Sequence, residues 1–414
     1  MNAKIKEILS RQIIDSRGVP TIETDVILTT GTIGRAAVPS GASTGKFEAV
    51  ELRDNDKNQY FGKSIYKAIN NVEKIIKPAL LGQNPFNQKE IDLIMINKDG
   101  SENKSKLGAN AILSVSLANA KACACEEGIS LYKYLGGIFA STLPIPMMNI
   151  INGGAHANNK LDFQEFMIQP VGSCDIKESI KMGSEVFHEL KKILNKNGFS
   201  TSVGDEGGFA PDFSCNKEAL DVILEAIKNA GYNNDEIKIC IDVAASELYK
   251  NNKYILEGEG KEFSTNEMIS YLESIVAKYP VISIEDGLSE EDYQGWQCLT
   301  SRMGKNCQLV GDDLFVTNYK KLEKGIEEKI ANAILIKPNQ CGTLSETLDT
   351  ILLAQKHNYK TIISHRSGET EDTFISDLSV AVNSGQIKTG SVSRGERTCK
   401  YNQLIRIEEE LTRQ

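Results

Sequence analysis

Hydrophobic positions in the first third of the chain recur in two rhythms. Residues 3–9, 21–29 and 33–38 carry β-branched side chains in partial alternation, broken at Asp15-Ser16-Arg17-Gly18 and Thr30-Gly31. A period of two turns one face of a strand inward, so these segments are expected to build a small sheet. Residues 63–80 and 107–127 change to a helical rhythm, the second dense in Ala and Leu. Strands followed by helices predict an α+β cap over residues 1–136.

From residue 143 short apolar runs alternate with amphipathic helical stretches, and each run stops abruptly at polar or charged residues. Residues 237–241 precede Asp242, 281–284 precede Glu285, 309–311 precede Asp312, 333–336 precede Lys337, and 361–363 precede Ser364-His365-Arg366-Ser367. From Asp242 through Glu285, Asp312 and Lys337 to Arg366 the spacings are 43, 27, 25 and 29, each enough for a strand, a helix and their loops. Runs that are apolar throughout suit parallel strands covered by helices. In an open sheet five strand ends would hardly converge on one pocket, whereas a closed barrel gathers them at its C-terminal face. The expected fold is therefore an α/β barrel of the TIM-like kind over residues 137–414, behind the N-terminal cap. Strands cannot be placed cleanly between 143 and 215, where irregular βα units are expected.

Composition narrows the class. With 414 residues, 40% of them hydrophobic and 25% charged, the chain has ample apolar surface for a large core. A net charge of −9 without Lys/Arg blocks lacks the footprint of a nucleic-acid binder. The nine cysteines show no metal-ligand spacing, and their odd number fits a disulfide framework poorly. They read as reduced thiols of a cytoplasmic protein. Met-Asn-Ala-Lys-Ile-Lys-Glu contains no apolar signal segment, and the uncharged stretch 135–159 is interrupted by Pro144, Pro146 and several Gly and Asn, so no membrane span is expected.

The strand ends carry the candidate chemistry. Asp242, Glu285 and Asp312 would crowd three like charges together, which is unfavourable without a divalent cation among them. Oxygen donors alone favour a hard ion, Mg²⁺ first. Lys337, Arg366 and Lys388 face them and suit a multiply anionic substrate. Lys337 closes an apolar run, so burial, Lys388 and a metal would push its pKa down and make it a credible general base. Arg366 with Ser367 offers a fork and a hydroxyl for phosphate. Ser40-Gly41-Ala42-Ser43-Thr44-Gly45 reads as a closing loop, and Gly204-Asp205-Glu206-Gly207-Gly208 puts carboxylates in a flexible turn from which a general acid could reach a leaving hydroxyl. His156 lies in a loop too polar for a core histidine, and His365 sits at a strand end. His188 and His357 fall in helical stretches and are read as structural.

Taken in order, these segments resemble the enolases, of the bacterial type, over essentially the whole chain. Asp15-Ser16-Arg17-Gly18, Asn103-Lys104-Ser105, Met148-Asn149-Ile150-Ile151-Asn152-Gly153-Gly154, Ser283-Ile284-Glu285-Asp286-Gly287, Gly311-Asp312-Asp313, Lys337-Pro338-Asn339-Gln340 and Ser364-His365-Arg366-Ser367-Gly368-Glu369-Thr370 complete the set. The resemblance implies a cap on an eight-stranded barrel whose first units depart from plain (β/α)₈ order. It also implies reversible dehydration of 2-phosphoglycerate to phosphoenolpyruvate in glycolysis and gluconeogenesis. By the same resemblance Lys337 is the base and Glu206 the acid, with Glu165 and His156 beside them. Gln164, Ser43, His365, Arg366, Ser367 and Lys388 would bind substrate. Asp242, Glu285 and Asp312 would hold one Mg²⁺, and Ser43 would join a second. A homodimer or an octamer is implied, as is a non-catalytic alternative such as plasminogen capture at the cell surface or after secretion. Cys341 stands where relatives usually carry an aliphatic residue, for which only a packing adjustment is expected.

Overall fold

The computed structural model describes residues 3–41 and 45–413. The cap begins with strands β1 (Ile5–Ile14), β2 (Pro20–Leu28) and β3 (Ile33–Ala37), an antiparallel meander in the order β1-β2-β3. Helices α1 (Tyr66–Asn71), α2 (Lys77–Leu80), α3 (Gln88–Asp99), α4 (Ala109–Glu126) and α5 (Leu131–Gly136) follow. The expected helix at 63–80 is two helices joined by a π-helical turn at Val72–Ile76, and α3 has no counterpart in the sequence reading. The first strand also runs to Ile14, past the expected end at residue 9, because its polar stretch pairs outward: Arg11 meets Glu23 and Asp25 of β2. Helix α4 lies directly on β3. A Cβ at Gly34 would overlap the backbone of α4 at Ala122 N and Ala118 O, so only glycine admits this approach.

The second unit runs β4 (Ile145–Asn152), β5 (Glu165–Gln169), α6 (Ile176–Lys196), α7 (Asn216–Asn229), β6 (Lys238–Asp242) and α8 (Ala245–Leu248). A small antiparallel sheet follows, β7 (Tyr249–Lys250), β8 (Lys253–Leu256) and β9 (Lys261–Phe263), which explains the long 43-residue spacing after Asp242. Then come α9 (Thr265–Lys278), β10 (Val281–Glu285), α10 (Tyr293–Met303), β11 (Gln308–Gly311), α11 (Tyr319–Glu327), β12 (Ala333–Ile336) and α12 (Pro338–Cys341). The chain closes with α13 (Leu344–Lys356), β13 (Lys360–Ser364), α14 (Phe374–Ala381), β14 (Gln386–Lys388) and α15 (Gly395–Thr412).

Strands β4, β5, β6 and β10 to β14 close an eight-stranded barrel. Every pairing in it is parallel except those of β5, which runs against both β4 and β6. Only a single 3-10 turn, Gly154–His156, lies between β4 and β5, too little for a parallel crossover, so the chain returns antiparallel. This is the irregularity expected between 143 and 215, and it positions the site. Reversal brings the first residue of β5, Glu165, opposite the last residues of β4 and β6, Asn152 and Asp242. Met147, Met167, Cys240, Val310, Ala333, Leu335 and Ile362 fill the barrel interior. Among the described residues no helix is long and apolar enough to cross a membrane.

Candidate functional site

The barrel mouth collects all the expected side chains that are described. Lys388, which closes the short strand β14, is buried, with Nζ 3.0 Å from Glu165, 3.1 Å from Asp242 and 2.9 Å from both Glu285 oxygens. Burial alone would push the amine's pKa down, but these carboxylates outweigh it and hold Lys388 well above its usual range. Glu285 in turn is pushed well up by burial and by Asp242, its register partner on β6. Lys337 ends β12 and forms an ion pair with Asp312 at the end of β11. Here the structure departs from the sequence expectation: burial does depress Lys337, yet Asp312 more than compensates and its pKa lies above the usual value. Asp312 is correspondingly low, the pull of Lys337 overcoming burial.

A second pair of carboxylates faces two histidines. His156 Nδ1 lies 3.6 Å from Glu165 and 3.7 Å from Glu206, and His365 Nε2 lies 3.5 Å from Glu206. Both carboxyls are buried, which favours the protonated form. In Glu165 burial and the charge of Glu206 prevail and the pKa is well raised, whereas the two imidazoles overcome burial in Glu206 and leave it low. A proton shared by this pair therefore rests on Glu165 in this arrangement. Gln164, next to Glu165, stands 3.4 Å from Asp242.

Arg366 and Ser367 follow β13 in a loop that meets the cap. Arg366 holds Glu48 bidentately at 2.9 and 3.2 Å, and Ser40 pairs with Gly368 through backbone hydrogen bonds of 2.8 and 2.9 Å. A Cβ on Gly368 would collide with the side chains of Asp15 and Arg17, so the Asp15-Ser16-Arg17 turn of the cap needs glycine there. Ser43 lies outside the described residues. His188 lies within α6 and His357 just beyond α13, away from this cleft, as the sequence suggests.

Several participants are not singled out by the sequence. Glu48 lines the cleft, Gln340 donates to Asp312 at 2.9 Å, Asn149 donates to Glu206 at 2.9 Å, and Arg397 donates to His365 Nδ1 at 2.6 Å. Asp286 adopts left-handed backbone (φ 42°), and its carboxylate accepts the amides of Asp312 and Asp313 at 2.9 Å each. Burial and Asp312 push Asp313 up to about 8. The doubled acids after β10 and β11 are a usable signal for Asp286 and Asp313. Nothing in the pattern distinguishes Glu48, or Arg397 among the other cations of α15.

These side chains enclose a cavity of about 30 Å³, room for one or two waters. Residues 5–135 match the enolase N-terminal domain and residues 140–414 the enolase C-terminal TIM barrel domain. The chain belongs to the enolase family. It is therefore a lyase of a Mg²⁺-dependent family, and its donor set suits that ion. Among the described residues, Asp242, Glu285 and Asp312 form ion pairs only with the amines of Lys388 and Lys337, three buried carboxyls against two cations, a surplus of negative charge that a divalent cation neutralises. All these donors are oxygen, the preference of Mg²⁺. Within the described residues, ligand atoms lie within 4.8 Å of one another in Asp286–Asp312–Asp313 and in His156–Glu165–Glu206. Asp242 and Glu285 belong to neither group, and Lys388 contacts both of them.

Proposed function

We propose that the protein interconverts 2-phospho-D-glycerate and phosphoenolpyruvate plus water, as a glycolytic and gluconeogenic enzyme of the cytoplasm. The observation that carries this reading is the presence of Lys337 and Glu206 in the wall of one small, charge-dense cavity, in a chain that matches both enolase domains. Once parted from Asp312 and deprotonated, the neutral Lys337 amine takes the proton from C2, and the electrons pass into the adjacent carboxylate, which becomes a dianion. Glu206 gives its proton to the C3 hydroxyl, which leaves as water. An anionic substrate raises the proton affinity of Glu206, and Glu165 beside it supplies a nearby proton. Arg366 and Ser367 take the phosphate, while Lys388 lies where the dianion's charge accumulates. His156, Gln164 and His365 orient the reacting end.

Asp242, Glu285 and Asp312 would hold one Mg²⁺, and Ser43 would contribute to a second. Bound there, the ions supply positive charge against the dianion and the phosphate. Because the cavity is small and Lys337 is held by Asp312, substrate entry requires Lys337 to leave Asp312 and Arg366 to loosen from Glu48. A division between cap and barrel near residue 136 and a homo-oligomeric assembly, a dimer or an octamer, belong to the same reading. The test is the ultraviolet absorbance of the enol phosphate after adding 2-phosphoglycerate to Mg²⁺-loaded protein. Turnover that chelation abolishes supports the assignment. A folded, loaded protein that makes no phosphoenolpyruvate overturns it.

A further inference from the structure

Helix α15 turns two cations inward, Arg397 and Lys400, both fully buried. Arg397 donates to the carbonyls of Asp205, Arg366 and Ser367 at 2.9, 2.6 and 2.6 Å, and Nη1 lies 2.6 Å from His365 Nδ1. Lys400 grips Glu369 at 2.8 Å, and that carboxylate accepts the amides of Arg366 and Thr370. The terminal helix thus pins both loops that carry the Glu206 end of the site.

A guanidinium is always protonated and has donors only. Its contact with Nδ1 therefore requires that nitrogen to present a lone pair, which puts the single ring proton on Nε2. The far edge of the ring agrees: Nε2 faces Glu206 Oε1 at 3.5 Å, where an N–H is attracted and a lone pair would be repelled. The opposite tautomer would set N–H against N–H on one side and lone pair against carboxylate on the other. The other oxygen of Glu206 already accepts from Asn149. The geometry points to Arg397 as a positioning residue that fixes His365 as the Nε2–H tautomer and aims it at Glu206. This inference rests on the reading of Glu206 as the group that exchanges a proton with substrate.

The consequence is chemical. A neutral N–H donor steadies the Glu206 carboxylate without locking it in the ionised form, as an imidazolium would. By repelling a second proton at Nδ1, Arg397 keeps the ring neutral. Burial acts in the same direction and lowers His365 to about 4. With His365 neutral, the pull that holds Glu206 low can be offset by an anionic substrate, and the carboxyl can then gain and lose a proton through the catalytic cycle.

The test is ¹⁵N imidazole NMR on the Mg²⁺-loaded protein, with His365→Asn used to identify the His365 signals, together with steady-state kinetics. The wild type should show a protonated Nε2 and an unprotonated Nδ1. Arg397→Gln should lose that pure tautomer and lower kcat roughly 10- to 100-fold, with KM moving less than about threefold. Arg397→Lys, which keeps the charge, should recover part of both. A wild-type ring protonated at Nδ1, or a folded Arg397→Gln with unchanged tautomer and kcat, overturns the inference. If Arg397→Gln fails to fold, the wild-type spectrum and the Lys variant decide alone. A tautomer that shifts as expected in a protein without 2-phosphoglycerate turnover refutes the functional assignment and leaves the positioning role standing.

Discussion

At the level of single residues the site is governed by compensation between burial and partners. The apolar run that Lys337 closes is legible in the sequence and points to a low pKa, but its partner is not legible. Asp312 lies 25 residues earlier in sequence and touches Lys337 only because β11 and β12 are neighbours in the barrel. The same holds for Glu48, whose segment shows no pattern and whose role follows from its ion pair with Arg366. In the cap, Asp25 illustrates the balance best. Burial raises its carboxyl, but hydrogen bonds from Arg35 and Arg11 prevail and bring it to about 2. A depressed carboxyl stabilises the fold at pH values above its unfolded pKa of about 4, and that contribution is lost as pH falls through about 2. Asp25→Asn should therefore cost roughly 1 kcal/mol at pH 7, reduced from the full linkage value because both arginines are partly exposed. Urea denaturation at about pH 7 and about pH 2.5 should show the deficit shrinking at the lower pH, and an equal deficit at both would refute the ionic origin.

Among elements, strand ends are the most legible feature. All five runs read from the sequence are barrel strands, and each begins and ends within a residue of the expected limits. Orientation is not legible. A strand's sequence carries no mark of direction, so the reversal of β5 is visible only through its pairing with β4 and β6. Glu165 consequently reaches the mouth from the start of its strand rather than the end. Helix α3 is hidden because its apolar positions, Ile91, Leu93, Ile94, Met95 and Ile96, do not form one clean stripe. Close packing supplies a sharper test. Gly34→Ala should drive a methyl into the backbone of α4 and cost about 1–3 kcal/mol, read as a lowered denaturation midpoint of the cap. No loss of stability would show that α4 does not lie on β3 as described.

Across the whole molecule, the cap contributes to the site as well as covering it. Arg17 reaches Ser40 and Gly41 of the cap and Ser367 of the barrel, and Lys121 of α4 binds Asp372 beyond β13. Asp92 of α3 accepts the amide and hydroxyl of Ser345 in the first turn of α13, at 3.0 and 2.6 Å. A cap residue thus satisfies donors at a barrel helix's N-terminus. Asp92→Ala leaves those donors buried and should destabilise the protein by about 1–3 kcal/mol. Hydrogen exchange should then rise first at the start of α13; a uniform change across the molecule would contradict the local coupling. The two-part architecture is legible in the change of rhythm near residue 143. The cross-links between the parts are hidden, because each joins residues more than two hundred positions apart.

In the proposed reaction Lys337, not Glu206, removes the C2 proton. The deciding measurement is loss of the C2 proton signal of 2-phosphoglycerate in D₂O, followed by NMR on Mg²⁺-loaded wild type, Lys337→Ala and Glu206→Gln. The wild type should exchange C2 and form phosphoenolpyruvate, Glu206→Gln should exchange C2 with little dehydration, and Lys337→Ala should do neither. Exchange that persists in Lys337→Ala, or a folded wild type that neither exchanges nor dehydrates, would contradict the assignment.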